Sequence, residues 1–311
     1  MGQFVVVHNP QAKLNRKHPE RAEQLADIVG SRGVVHETTD LGNLPLLARE
    51  LAAKDIDVLC ICGGDGTNQV VLTALLPAFQ AAGRPLPPIS LLKGGSMNTI
   101  GWSLGLRGSA EAVLSELVGK YDRGEANEVV QQNTLRVNDR CGMIFGNGYA
   151  VNFLEEYYAA NSDPGPRRAA EIAYKAISSV LARSYMFQRL ARQYQAEIWI
   201  DGRRIEMPTY GMALMGTVEH IGIGFRTLYR AHEAAERFHA VITALSPGKI
   251  LAQIHRFYSG KELVGRWHVD DTARKVEIRT PEPLGYTLDG EFYADDTLTI
   301  TLGPAVPLIL R

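Results

Sequence analysis

The sequence predicts two domains. The first is an α/β domain on a parallel sheet, and the second is an antiparallel, β-sandwich-like domain. Three observations predict this. Strand-like and helix-like segments alternate over the first 120 or so residues, the pattern of a parallel sheet flanked by helices. Beyond Gly124–Asn127 the segments instead alternate apolar and polar residues with period two, the antiparallel signature. The chain's 311 residues also exceed the roughly 100–200 that one domain usually takes. The change of pattern places the boundary at 125, with a first domain over 1–125 and a second over 126–303.

Phe4–His8 is a short β-branched run ending at Asn9-Pro10. Pro19–Ser31 places Leu25, Ile28 and Val29 on one helical side, and Gly33 ends it before the extended Val34–His36. Leu44–Lys54 is helical. Asp57–Cys62 is apolar on both faces, as a central parallel strand must be, and Gly63–Gly66 breaks it. A helix over Asn68–Phe79, a buried strand over Ile89–Leu92 broken by Gly94-Gly95, and a helix over Ser109–Lys120 complete the first half. In the second half, strands are predicted over Val129–Val137, Met143–Asn147, Ala196–Ile200, Val276–Arg279 and Leu298–Leu302. Asn138-Asp139, Asp201-Gly202 and Asp289-Gly290 are the turn signals. A long helix is expected over about Arg167–Arg192.

Composition excludes several classes. Hydrophobic residues are 45% and charged residues 22%, which fits a globular chain rather than a disordered one. The net charge is −1, so no basic field points to nucleic acid. No apolar run reaches the roughly 18 residues of a membrane span. The opening MGQFVVVHNP lacks the basic flank of a signal peptide. Cys60, Cys62 and Cys141 are too few for a disulfide framework, and Cys60 and Cys62 alternate on a core strand. A cytoplasmic protein is expected.

The strongest local signal is Gly63-Gly64-Asp65-Gly66-Thr67, directly after a buried strand and before a helix. Glycines can adopt positive φ and let a phosphate come close, and the helix offers free N–H groups and its positive end. Thr67 adds a hydroxyl. Asp65 beside phosphate calls for a cation or a substrate hydroxyl between them. A plain βα turn would need one glycine rather than three. Lys93-Gly94-Gly95-Ser96-Met97-Asn98-Thr99 follows the next strand in the same way, and two such loops at neighbouring strand ends form the crevice where open α/β sheets bind ligands. The spacing is neither a Walker A loop nor a dinucleotide fingerprint. Asn9, Thr38 and Thr39 end strands at the same sheet edge. Far away, Leu288-Asp289-Gly290-Glu291 reads by itself as an Asp-Gly hairpin turn.

GGDGT at 63–67, GGSMNT at 94–99 and LDGE at 288–291, in this order, resemble the diacylglycerol kinase catalytic superfamily. GGDGT alone is shared with NAD kinases and resembles phosphofructokinases; LDGE points to the lipid-kinase branch. The resemblance implies a phosphofructokinase- or NAD-kinase-like first domain binding ATP, a β-rich second domain holding a lipid, and an active site in the cleft between them. It implies that 304–311 packs back on the first domain. Asn9, Thr39, Gly63, Gly64, Asp65, Gly66, Thr67, Gly95, Ser96 and Asn98 would line the nucleotide site, with Mg²⁺ reaching Asp65 through Mg-ATP. Asp289 would be the general base and Glu291 would assist through nucleotide or magnesium. Asp65 stays open as the alternative base.

The sequence departs from the family pattern in places. Ser96 stands where Thr is usual, Thr99 where Asp or Asn is common, and Gln11-Ala12-Lys13 replaces Ser-Gly. A stretch that often holds a structural magnesium has Ala235-Glu236-Arg237 in place of Asp-Asp-Gly, so no separate structural magnesium site is expected. The expected partners are a membrane lipid substrate and an anionic membrane surface, met peripherally through the basic face of 167–192; a homodimer stays open. His232 and His239 are expected to be exposed, and Trp102, Trp199 and Trp267 to line a core or lipid pocket. The rival readings are an NAD kinase and a catalytically silent nucleotide- or lipid-binding relative.

Overall fold

The computed structural model describes residues 3–159 and 191–310. The expected helix at 167–192 falls outside the described residues except for its last two. The chain forms two compact units, residues up to Asn133 with Pro304–Arg311, and Thr134–Gly303.

The first unit is a six-stranded sheet in the order β2-β1-β3-β4-β16-β5. Its strands are β1 (Phe4–His8), β2 (Gly33–Glu37), β3 (Val58–Gly63), β4 (Ile89–Lys93), β5 (Glu128–Gln132) and β16 (Val306–Leu310). All neighbours are parallel except β16 and β5. β1 and β3 are buried along their whole length, which is why their sequences are continuously apolar. The helices are α1 (Lys13–Lys17), α2 (Arg21–Val29), α3 (Leu44–Ala52), α4 (Asp65–Ala81), α5 (Thr99–Ser103) and α6 (Ala110–Asp122). Phe4, Val6, Cys60 and Cys62 on one sheet face pack with Leu25 and Val29 of α2 and Leu114 and Leu117 of α6. Ser109 caps α6 by accepting from the Ala112 N–H at 3.2 Å.

The sequence pattern changes at 125, but β5 still belongs to the first sheet. Its register is set by β16, with Leu308 opposite Val130. The run Val129–Val137 is therefore two strands in two units, β5 and then β6 (Leu135–Val137).

The second unit is one antiparallel sheet of ten strands, β13-β12-β11-β8-β14-β15-β6-β7, with β9 and β10 branching from β14. The remaining strands are β7 (Arg140–Gly142), β8 (Ile144–Asn147), β9 (Glu197–Ile200), β10 (Arg203–Ile205), β11 (Met212–Gly216), β12 (Phe238–Thr243), β13 (His268–Ala273), β14 (Lys275–Leu288) and β15 (Glu291–Leu302). α7 spans Tyr149–Ala159, α8 Pro247–Ala252 and α9 Ile254–Ser259. β14 serves two groups of strands. Val276–Arg279 pairs with β9, and Tyr286–Leu288 pairs with β8. The break falls between Arg279 and Leu284, where its register with β15 shifts. Pro281 and Pro283 sit there and can donate no ladder hydrogen bond. Residues of β9, β11 and β12 then share one core, with Ile198, Met215 and Phe238 among its members.

Two expectations are corrected. His239 is fully buried on strand β12, where its Nε2 lies 2.8 Å from an Asp270 carboxylate oxygen. Trp102 and Trp267 are not core residues, at 42% and 39% exposed.

Candidate active site

In the first unit, the loops after β1, β3 and β4 leave the same sheet edge, because the three strands run parallel and in register. Backbone bonds tie the loops together. Asn9 N–H donates to Cys62 O at 3.0 Å, Gly94 N–H to Gly63 O at 2.8 Å, and Leu14 N–H to Gly94 O at 2.8 Å. The two glycine loops touch. A Cβ on Gly64 would lie 3.2 Å from Gly95 Cα, and one on Gly95 would run into Gly64 Cα. A Cβ on Gly94 would meet the Asn15 side chain at 2.7 Å. None of Gly63, Gly64, Gly66, Gly94 and Gly95 has positive φ. Glycine is needed here for close approach, not for left-handed backbone.

α4 begins directly at Asp65, and its N-cap, Gly64, is extended and has no side chain to cap with. The first-turn N–H groups of a helix have no intrahelical acceptor. They and the helix dipole suit an anion, and the glycine contact leaves backbone rather than side chains beside them. The residues present therefore fit a nucleotide's phosphates.

Asp65 is committed locally. Its Oδ2 accepts from Thr99 N–H at 2.7 Å and its Oδ1 from Ile100 N–H at 3.1 Å. It braces the start of α5 from the opposite loop. Burial pushes its carboxyl above the ordinary value, and the two backbone donors oppose that. Asn98, at φ 48°, folds the second loop on itself, with Oδ1 accepting from Gly95 N–H at 3.1 Å and Nδ2 donating to Gly95 O at 2.9 Å. Asn9 Nδ2 donates to Thr67 Oγ1 at 2.9 Å. Ser96 is half-buried at the turn of the second loop, and Thr39 is exposed at the end of β2.

Three residues of this edge escaped the sequence reading. Asn15 is buried, donating to Asn9 O at 2.7 Å and Cys62 O at 3.1 Å, and accepting from Arg21 at 3.0 Å. Arg21 also donates to Glu111 at 2.6 Å. His8 is buried with no hydrogen-bond partner for either ring nitrogen among the described residues, and burial lowers its pKa. Asn15 and Arg21 carry no motif, and only the packing of α1 and α2 on the loops reveals them.

In the second unit, LDGE forms the β14–β15 turn. Leu288 pairs with Glu291, and Asp289 and Gly290 have φ of 51° and 94°, the two-residue I′ type that favours Asp-Gly. The turn aims Asp289 inward. It is 6% exposed, and its carboxylate accepts from Met143 N–H at 3.0 Å and Ile144 N–H at 2.7 Å. Gly142 makes the room, since a Cβ there would meet Asp289 Oδ2 at 2.8 Å. Glu291 faces outward and makes no hydrogen bond or ion pair among the described residues. Although the residue is exposed, hydration lost to its neighbours raises its carboxyl above the ordinary value. Beside the turn, exposed Tyr158 and Phe292 meet edge to face with ring centroids 5.9 Å apart.

The altered acidic stretch is laced by arginines. Arg237 donates to Asp201 at 2.6 Å and to Thr272 Oγ1 at 2.9 Å, and Arg230 pairs with Glu233 at 2.6 Å. Glu236 faces Arg274 at 3.4 Å. No group of three or more metal-ligating side chains occurs among the described residues.

Residues 3–126 match the family model of the diacylglycerol kinase catalytic domain. The chain is 25% identical over 129 residues to the diacylglycerol kinase of Bacillus subtilis (strain 168), covering 39% of this chain and 41% of that protein. It is 32% identical over 109 residues to a Staphylococcus aureus (strain MSSA476) protein whose name gives it as an inferred lipid kinase, covering 30% of this chain and 34% of that protein. The matched part thus spans about two fifths or less of these curated relatives. A crystal structure of a diacylglycerol kinase from Bacillus anthracis str. Sterne superposes with a TM-score of 0.64 at 18% identity, covering 100% of this chain and 97% of that one. That likeness extends the shared fold over the second unit as well. No helix among the described residues is long and apolar enough to cross a membrane.

Proposed function

We propose that this chain, whose residues 3–126 match the diacylglycerol kinase catalytic domain, is an ATP-dependent lipid kinase. It transfers the γ-phosphate to one hydroxyl of a membrane lipid such as diacylglycerol, a sphingoid base or ceramide. The observation that carries the reading is the contact of Gly64 with Gly95 beside the uncapped start of α4. Phosphoryl transfer asks for positioning and charge neutralisation more than covalent help, and open N–H groups at a glycine cradle offer both.

The proposed roles follow from what each side chain already does. The first-turn N–H groups of α4 hold the phosphates. Asn98 and Ser96 shape the second wall, and Asn9 orients Thr67. Bound magnesium would neutralise phosphate charge. Asp65 is read as a positioning residue, because both of its oxygens hold α5, and as the side chain nearest to hand for the metal. Asp289 is read as the general base that takes the lipid hydroxyl proton, held in place by the Met143 and Ile144 N–H groups. Glu291 assists at the nucleotide or its metal.

The test is transfer from γ-labelled ATP to diacylglycerol, a sphingoid base and ceramide in mixed micelles. Wild-type protein should label one of them, and Asp289→Asn should slow that transfer by about 10²–10⁴-fold. Absence of any labelled lipid, with NAD also inert, would overturn the reading in favour of a silent binding protein.

A further inference from the structure

The connection from β12 to β13, residues 244–267, is anchored on one side and bare on the other. Leu245 and Leu263 are buried, and Ile250 and Phe257 pack on a core of Tyr149, Met212, Leu214, Leu228 and Val241. Gln253 clamps the return, accepting from Val264 N–H at 2.7 Å and donating to Val264 O at 3.0 Å. Four large apolar side chains are nevertheless left in solvent within 14 residues: Ile254 at 37%, Tyr258 at 56%, Val264 at 65% and Trp267 at 39%. Ile254 and Tyr258 are four apart on α9 and share a face. Gln253 holds Val264 next to that helix.

The charges within the connection are mostly of one sign. Lys249, Arg256, Lys261 and Arg266 stand in the segment 246–267 against a single acid, Glu262. None of the four pairs with a carboxylate among the described residues. Arg256 donates to the backbone of Glu262 at 2.8 Å, and Arg266 lies over the Trp267 ring at 4.4 Å. Elsewhere in the unit, Arg140, Arg204, Arg226, Arg230 and Arg237 pair with acids, while Arg136 and Arg279 are held by a backbone oxygen and an aromatic ring. Trp267 itself sits at φ 65°, a backbone region a bulky residue occupies only at a cost.

We propose that the face carrying Ile254, Tyr258, Val264 and Trp267 docks on an anionic lipid bilayer, with Lys249, Lys261 and Arg266 meeting the headgroups. The choice of partner rests on the lipid-kinase reading and on charge complementarity: unpaired cations ring aromatic and aliphatic side chains that can enter the interface. A core-packed or self-associating face would have no need of unpaired cations.

The experiment is co-sedimentation of the whole chain with vesicles of phosphatidylcholine alone or mixed with phosphatidylserine, neither of which carries a free hydroxyl for a kinase to phosphorylate. Binding should require the anionic lipid and weaken with salt. Trp267→Ala with Val264→Glu, and separately Lys261→Glu with Arg266→Glu, should each weaken it by about tenfold or more. The second pair removes no apolar side chain, so it keeps the test valid if the first pair lowers the melting temperature. Unchanged binding by both pairs overturns the proposal. So does concentration-dependent dimerisation abolished by Val264→Glu, which would make the face a contact with a second copy. Kinase activity on micellar lipid is read separately. Wild-type protein that transfers phosphate but does not sediment with the anionic vesicles sinks only the docking surface, and wild-type protein that sediments but transfers no phosphate sinks only the kinase reading.

Discussion

Asp65 and Asp289 carry the same functional group in two different settings. Both are fixed by backbone N–H donors, but Asp65 holds a neighbouring loop, while Asp289 is presented by a tight turn into its own sheet. Asp65→Ala should therefore cost about 1–2 kcal/mol of stability, as loss of a helix cap does, and should weaken nucleotide binding. Thermal melts and nucleotide titration would read both effects. Asp289→Asn should leave nucleotide affinity unchanged while transfer falls, a separation that equal losses of both would contradict. Glu291 gives a pH signature. Its carboxyl is raised above its ordinary 4.5 by lost hydration, so the folded protein holds that proton to higher pH than the unfolded chain does. The associated stability is fully present below the ordinary value and is lost as pH rises through the folded one. Because Glu291 is exposed and screened, Glu291→Gln should raise the melting temperature only slightly at pH 7 and hardly change it at pH 4. The sequence named Asp65, Asp289 and Glu291 because motifs are local. It could not name Asn15, Arg21 or His8, whose importance comes only from which loops they meet.

Among the elements, the glycine loops and the hairpins separate two uses of small residues. Gly64 and Gly95 are needed for contact. Gly95→Ala should abolish nucleotide binding, checked by titration, because its Cβ has no space beside Gly64. At Asp201-Gly202 and Asp289-Gly290 the need is for positive φ at both positions, and both turns were legible from the dipeptide. Asp201 does more than turn the chain. It accepts from the Arg274 and Lys275 N–H groups at 2.9 Å each and from Arg237 at 2.6 Å. These donors hold its carboxyl below the ordinary range, so their stabilisation is present at neutral pH and is lost as pH falls through the folded value. Asp201→Ala should cost about 1.5–3 kcal/mol at pH 7, and less in acid, by denaturant melts. The strand at Val276–Arg279 proved to be the start of a longer one. Two prolines mask its continuation, because they break the alternation where β14 changes partner.

For the whole molecule, the last strand is the clearest long-range dependence. β16 returns to the first unit and lies between β4 and β5, with Val306 and Leu308 fully buried. Truncation after Gly303 would remove two fully buried side chains whose burial is worth about 3–6 kcal/mol together and leave β5 with no partner in its sheet. The shortened chain should lose cooperative melting of the first unit and aggregate through the opened edges of β4 and β5, seen by calorimetry and light scattering.

Signals local to the chain set the α/β and antiparallel halves, the edge where the glycine loops gather and the turn that carries Asp289. All of these rest on short-range periodicity and on glycine or Asp-Gly punctuation. The resemblance implied that 304–311 packs back on the first domain, and long-range pairing placed 306–310 between β4 and β5, gave β5 to that sheet, set Asp65 to brace α5 and left Trp267 in solvent. Each depends on a partner far along the chain, and hydrogen-bond pairing and burial are settled by what is adjacent in space. Hydropathy along the chain says which residues would gain from burial. Only the fold says which of them find a neighbour.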